Sequence, residues 1–201
     1  MPCQILGKLT SFLSRKTQPL SDPYEYLPPL VIRDVRESLP IHPDKKYKKR
    51  SRQFTHVAIH HSATSVGNAT TFARYHVNDK HWPGIGYTYV IWKDGTIEWC
   101  WDDDVRTYHV GNSNDFALGI VNVGEYNSEI PSHIQWDTCI RLVNKVAPII
   151  PVENVLGHQE YQDYQWKKCP GDHWNMDKFR EELQQFREGT LKFPSWGRMN
   201  A

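Results

Sequence analysis

Three short segments hold side chains suited to gripping a divalent ion: His60 and His61 in IHHSAT, His158 in GHQEY and Cys169 in KKCPGD. Neutral imidazole nitrogens and a thiolate are ligands that zinc prefers, and three protein ligands with a fourth position left to water make a catalytic zinc. The separations are long and nonlocal, unlike two histidines one helical turn apart. Spacing alone therefore leaves the bland readings open: packed strand histidines, a lone histidine at a strand end and a buried structural thiol. Along a strand, successive side chains point to opposite faces, so only one of His60 and His61 can aim at an ion while the other packs or hydrogen-bonds behind it.

The elements that must bring these segments together can be read from local pattern. Thr55–Ser62, THVAIHHS, is β-branched and apolar enough for a buried strand. Phe72, Tyr75 and His76 recur at helical spacing, which predicts a helix over Asn68–Asp79, with His76 and His81 on or near it and given no role. Gly84 and Gly86 lead into YTYVIW (Tyr87–Trp92) and TIEWCW (Thr96–Trp101), joined through Asp94-Gly95, the strongest hairpin signal in the chain. Ala117–Val123 reads as another interior strand. Ser132–Val146 reads as a helix that ends before Pro148. A short strand at Asn154–Leu156 runs into Gly157 and His158, and a last helix covers Asn175–Arg187, with Phe179, Leu183 and Phe186 on one face. Strands alternating with helices predict one α/β domain with a central mixed sheet flanked by helices. Residues 1–52, broken by Pro19, Pro23, Pro28, Pro29, Pro40 and Pro43, read as an extended arm that precedes a domain over 53–188. The tail 189–201 reads as loose, with Phe193 and Trp196 able to dock.

At 201 residues one domain is the expectation, and a net charge of +1 gives no reason to invoke nucleic acid as a partner. The basic run Lys45, Lys46, Lys48, Lys49, Arg50 and Arg52 reads as a solvated lead-in, with attraction to an anionic polymer as the functional alternative. The aromatic share of 12% serves either packing or a carbohydrate cleft. Cys3, Cys100, Cys139 and Cys169 form no close pairs and suit a reducing compartment. Met1–Lys16 has no cationic region ahead of an apolar stretch and no cleavage site of small residues, and no window is long enough to span a membrane. The expectation is a monomer made in the cytoplasm.

IHHSAT, GIGYTYVIWKDGTIE, YHVGNSN, ALGIVNVG, GHQEY and KKCPGD follow the order and approximate spacing of the type 2 amidase family, which includes amidase-type phage lysozymes and peptidoglycan recognition proteins. The resemblance covers about residues 54–187. It implies a zinc site in a surface cleft with His60, His158 and Cys169 as ligands, and Tyr87 and Lys167 as catalytic groups. His109, Asn112 and Asn114 fall where the family lines its substrate cleft, although turn formation alone would explain the two asparagines. Many bacterial members carry a glutamate where this chain has Val121, which favours the tyrosine and lysine version of the site, with Glu125 as a possible substitute.

The resemblance implies zinc-dependent hydrolysis of the amide between N-acetylmuramic acid and L-alanine in bacterial peptidoglycan, by a phage or prophage endolysin that meets the wall after release. The alternatives are an intracellular amidase that recycles wall fragments and a peptidoglycan-binding module without catalysis. Retention of Cys169 argues against the last of these.

Overall fold

The structure, a computed structural model, describes residues 27–192. The segment Met1–Lys16 and the tail residues Phe193 and Trp196, which the sequence reads as able to dock, lie outside the described residues.

A six-stranded sheet runs through the domain in the order β1 (Ile32–Asp34), β4 (Ile97–Trp99), β3 (Tyr89–Ile91), β5 (Ala117–Asn122), β2 (His56–His61) and β6 (Val155–Gly157). Only β3 and β4 pair antiparallel within it, so the sheet is mixed, as expected from the alternation of strands and helices. β2 lies between β5 and β6 and is buried from Val57 through His61, which is why its sequence is apolar on both faces.

The Asp94-Gly95 turn joins β3 to β4 as the sequence predicts, although the paired strands are shorter than the aromatic runs. Gly95 has φ +84°, where a side chain would be strained, and Asp94 Oδ1 accepts the Thr96 N–H at 2.9 Å. β1 was not expected. It comes from the arm and adds a parallel edge strand, with Ile32 paired to Ile97.

Three α-helices flank the sheet: α1 (Ala69–Asn78), α2 (His133–Val146) and α3 (Met176–Arg187). Asn68, Ser132 and Asn175 cap them by accepting the N–H of Thr71, Gln135 and Lys178. The main core lies on the face of β2 and β5 that carries Val57, Ile59, Leu118 and Ile120, under Ile140, Leu142 and Val143 of α2 and Phe179 and Leu183 of α3. The other face carries Ala58, His60, Gly119 and Val121; there Ala69 and Ala73 of α1 pack with Val90, Val121 and Val123. This thinner face leaves room for a site. Among the described residues, no helix is long and apolar enough to cross a membrane.

Candidate metal centre

The alternation of β2 decides between the adjacent histidines. His60 points to the α1 side of the sheet, whereas His61 lies on the other side, where its Nδ1 accepts the Tyr126 N–H at 3.1 Å. Beside His60, β6 pairs Gly157 with Ile59, and the chain then turns into the short 3-10 helix His158–Glu160. Glu160 Oε2 holds that turn by accepting the Gly157 N–H at 2.7 Å. Cys169 is brought alongside by the Gln159 N–H, which donates to the Cys169 carbonyl at 2.9 Å. Gly157 permits the approach: a Cβ there would lie 2.7 Å from Pro170 Cδ.

The outcome is that ligand atoms of His60, His158 and Cys169 lie within 4.8 Å of one another. The Cys169 sulfur sits 3.6 Å from His60 Nδ1, and the His60 and His158 rings are 4.7 Å apart. Burial drives the His60 pKa well below its ordinary value and, with Lys167 adding to it, lowers that of His158 to about 4, so both imidazoles are neutral near pH 7. Burial pushes the Cys169 thiol up to about 12, against smaller opposing effects from the His61 backbone N–H and Lys167. A cation would reverse that preference, because it stabilises the thiolate directly. His158 Nε2 is buried with no hydrogen-bond partner, and a buried polar atom left unpaired is costly. Two neutral imidazoles, one with an orphaned ring nitrogen, and a thiol converging on one point fit a zinc ion.

Tyr87 stands at the end of this cluster, its ring 5.2 Å from that of His60. Burial raises its hydroxyl pKa, so the group stays protonated and able to donate. A cleft of about 620 Å³ opens on the other side, lined by Trp82, Arg106, His109, Asn112, His158 and Lys167, among others. The Lys167 ammonium rests 4.4 Å from the centre of the Trp166 ring. Val121 is the register partner of His60 and is fully buried, so that strand offers no carboxylate beside the cluster. Glu125 lies on the His61 side, 3.9 Å from His61 Nδ1.

The three expected cleft residues differ in what they do. Asn112 is exposed and lines the cleft. Asn114 is buried, its Oδ1 accepting the N–H groups of His109 and Val110 at 2.9 and 2.7 Å, the turn-forming reading in structural form. His109 reaches the cleft wall, but its nitrogens face Ala117 O and His60 Nε2, each at 3.1 Å.

Sequence reasoning missed Trp82, Arg106 and Tyr164 in the cleft and the burial of Arg50. It also missed the stacking of His76 on Trp82, ring centres 4.7 Å apart. Arg50 stood in a basic run where nothing set it apart from its exposed neighbours.

Comparison with known proteins identifies the family. The profile of the Amidase_2 family, described as N-acetylmuramoyl-L-alanine amidase, matches residues 50–172. An N-acetylmuramoyl-L-alanine amidase of Sus scrofa is 26% identical over 136 residues, covering 57% of this chain and 21% of that protein. Peptidoglycan-recognition protein LB of Drosophila melanogaster is 30% identical over 100 residues, 48% of this chain and 42% of its own. The chain thus spans between a fifth and about two fifths of these two relatives. Among solved structures, the endolysin N-acetylmuramoyl-L-alanine amidase LysCS from Clostridium intestinale shares the fold with a TM-score of 0.62 at 20% identity, covering 76% of this chain and 95% of its own. With more than half its length matched by the profile, the chain belongs to the Amidase_2 family, the N-acetylmuramoyl-L-alanine amidases.

Proposed function

We infer that the protein hydrolyses the amide bond between N-acetylmuramic acid and L-alanine in bacterial peptidoglycan, with zinc held by His60, His158 and Cys169. The observation that carries this reading is the convergence of those three ligand atoms within 4.8 Å at the end of an open cleft. Zinc, when bound, polarises a carbonyl and lowers the pKa of water to about 7.

The chain's own groups account for the remaining demands of amide hydrolysis. The protonated Tyr87 hydroxyl donates a hydrogen bond to the carbonyl oxygen as negative charge builds on it. Lys167, in the cleft beside His158, brings an ammonium that offsets the same charge and can hand a proton to the departing nitrogen. Trp82, Arg106 and Asn112 supply an apolar face, a cation and an amide along the cleft, a mixture suited to a short peptide bearing carboxylates. His109 and Asn114 also line the cleft, and their hydrogen bonds to His60 and to the backbone at 109 and 110 brace its wall.

The finer assignment, a phage or prophage endolysin, rests on the resemblance to amidase-type phage lysozymes, which Tyr87 and Lys167 carry together with Val121 in place of a carboxylate. Digestion of purified cell walls tests the activity. New amino termini on alanine without new reducing sugars are expected. Reducing sugars would make the enzyme a glycosidase, and no products would leave a binding module.

A further inference from the structure

The arm ends in a clamp on the loop that forms the cleft wall. Arg106 N–H donates to Lys48 O at 2.9 Å, Arg50 N–H to Asp104 O at 2.6 Å, and Ser51 Oγ to Asp115 Oδ2 at 2.9 Å. The Arg50 side chain goes inward and is only 8% exposed. Its Nε donates to Asp103 O at 3.0 Å and its Nη1 to the backbone carbonyl of Asn114. An isolated surface cation has no reason to be buried; this one ties both ends of the loop from 103 to 114.

Asn114 passes the constraint on, since its Oδ1 accepts the His109 and Val110 N–H groups and fixes where the His109 ring leaves the backbone. That ring has little freedom. It lies against Gly119, where an added Cβ would stand 2.9 Å from its Cδ2.

The ring's hydrogen bonds then dictate a proton position on the neighbouring His60. His109 Nε2 is 3.1 Å from Ala117 O, and a carbonyl can only accept, so in the neutral ring Nε2 carries the hydrogen and Nδ1 is a lone pair. His60 Nε2, 3.1 Å from that lone pair, must donate to it. His60 Nδ1 is left as the bare nitrogen, facing Cys169 Sγ at 3.6 Å.

We propose that Arg50 of the arm is a positioning residue for the metal centre: through Asn114 and His109 it holds His60 in the Nε2–H tautomer, with Nδ1 turned to the ion. This rests on His60 being a zinc ligand. A ligating histidine that loses the partner of its other nitrogen typically loses about 10- to 100-fold in metal affinity.

The test uses the full chain in metal-free and zinc-titrated forms. Long-range proton–nitrogen NMR spectra report which nitrogen of His60 carries hydrogen, and chelator competition gives the zinc affinity. Metal-free wild type is expected to show His60 as Nε2–H. Arg50→Met and His109→Phe are expected to mix the tautomers and weaken zinc binding by about 10- to 100-fold. Asn114→Asp, whose carboxylate still accepts both N–H groups, is expected to stay near wild type in both readouts. Arg50→Lys, which keeps the charge with one nitrogen in place of the fork, is the milder variant should the methionine not fold, and an intermediate loss is expected from it.

An Nδ1–H tautomer in the wild type overturns the inference, as does unchanged affinity and tautomer in both Arg50 variants. Wild type that binds no zinc overturns the metal centre itself. Zinc-binding wild type with indifferent Arg50 variants overturns only the link to the arm.

Discussion

Gly119 and His109 meet so closely that no side chain fits between them: a Cβ on Gly119 would stand 2.9 Å from both Cδ2 and Cγ of the imidazole. β5 thus provides a slot of glycine size beneath the wall of the cleft. Gly119→Ala is expected to displace the ring, to destabilise the domain by about 1–3 kcal/mol through overpacking, and to weaken zinc binding. Denaturant melts and chelator competition measure both. A variant with native stability and affinity would show that the slot has slack.

Replacing His158 or Cys169 with Ala is expected to abolish zinc binding and wall lysis while the domain remains folded. The sheet and both helical layers are built without those side chains. In wild type, zinc at 100 times its dissociation constant should add about 2.7 kcal/mol of stability, and in either variant almost none. Thermal melts with and without zinc read the difference; retained lysis by either variant rejects the ligand assignment.

Tyr87→Phe removes a hydroxyl and leaves the ring beside His60. Zinc affinity should persist while turnover falls by about 10²- to 10³-fold, the usual loss for one donor to a developing oxyanion. Steady-state rates on soluble muropeptide measure it. An unchanged rate takes Tyr87 out of the mechanism.

Glu98 is a buried carboxylate whose Oε2 accepts the Ala69 N–H at the start of α1 at 2.7 Å and Trp92 Nε1–H at 2.8 Å. Glu98→Ala leaves both donors unpaired away from water and removes a negative charge from a helix N-terminus. A loss of about 2–4 kcal/mol is expected from those two effects together. Urea unfolding decides it, and a loss within experimental error would mean that water reaches both donors.

His76 accepts the Gly86 N–H on Nδ1 at 3.0 Å, and burial, aided by Lys80, lowers its pKa from 6.5 to about 4. Between those values the unfolded chain binds a proton that the folded one does not. Stability from this group is therefore present above pH 6.5 and is lost as the pH falls toward 4. The stability advantage of metal-free wild type over His76→Gln should narrow across that window. A gap that stays constant with pH shows that His76 titrates alike in both states.

Much of the architecture was legible because its signals are local. Phe72, Tyr75 and His76, and likewise Phe179, Leu183 and Phe186, announce their helices by recurring on one face, and Asp94-Gly95 announces its hairpin because the turn demands φ > 0 at the glycine. The segments of His60, His158 and Cys169 could likewise be singled out by side-chain chemistry, and strand alternation limited the choice at His60 and His61 to one of the pair.

What the sequence could not supply was set by pairings between distant segments, which leave no period in the chain. β1 exists because the edge of β4 was free to take another strand, although the arm around it is broken by prolines. Arg50 goes inward, unlike the other cations of its run, because the carbonyls of Asp103 and Asn114 meet it there. His60 rather than His61 faces Cys169 because the register with β5 and β6 fixes which face of β2 turns toward α1. Chemistry names the candidate ligands residue by residue, whereas their convergence depends on sheet order and loop closure, properties of the folded chain alone.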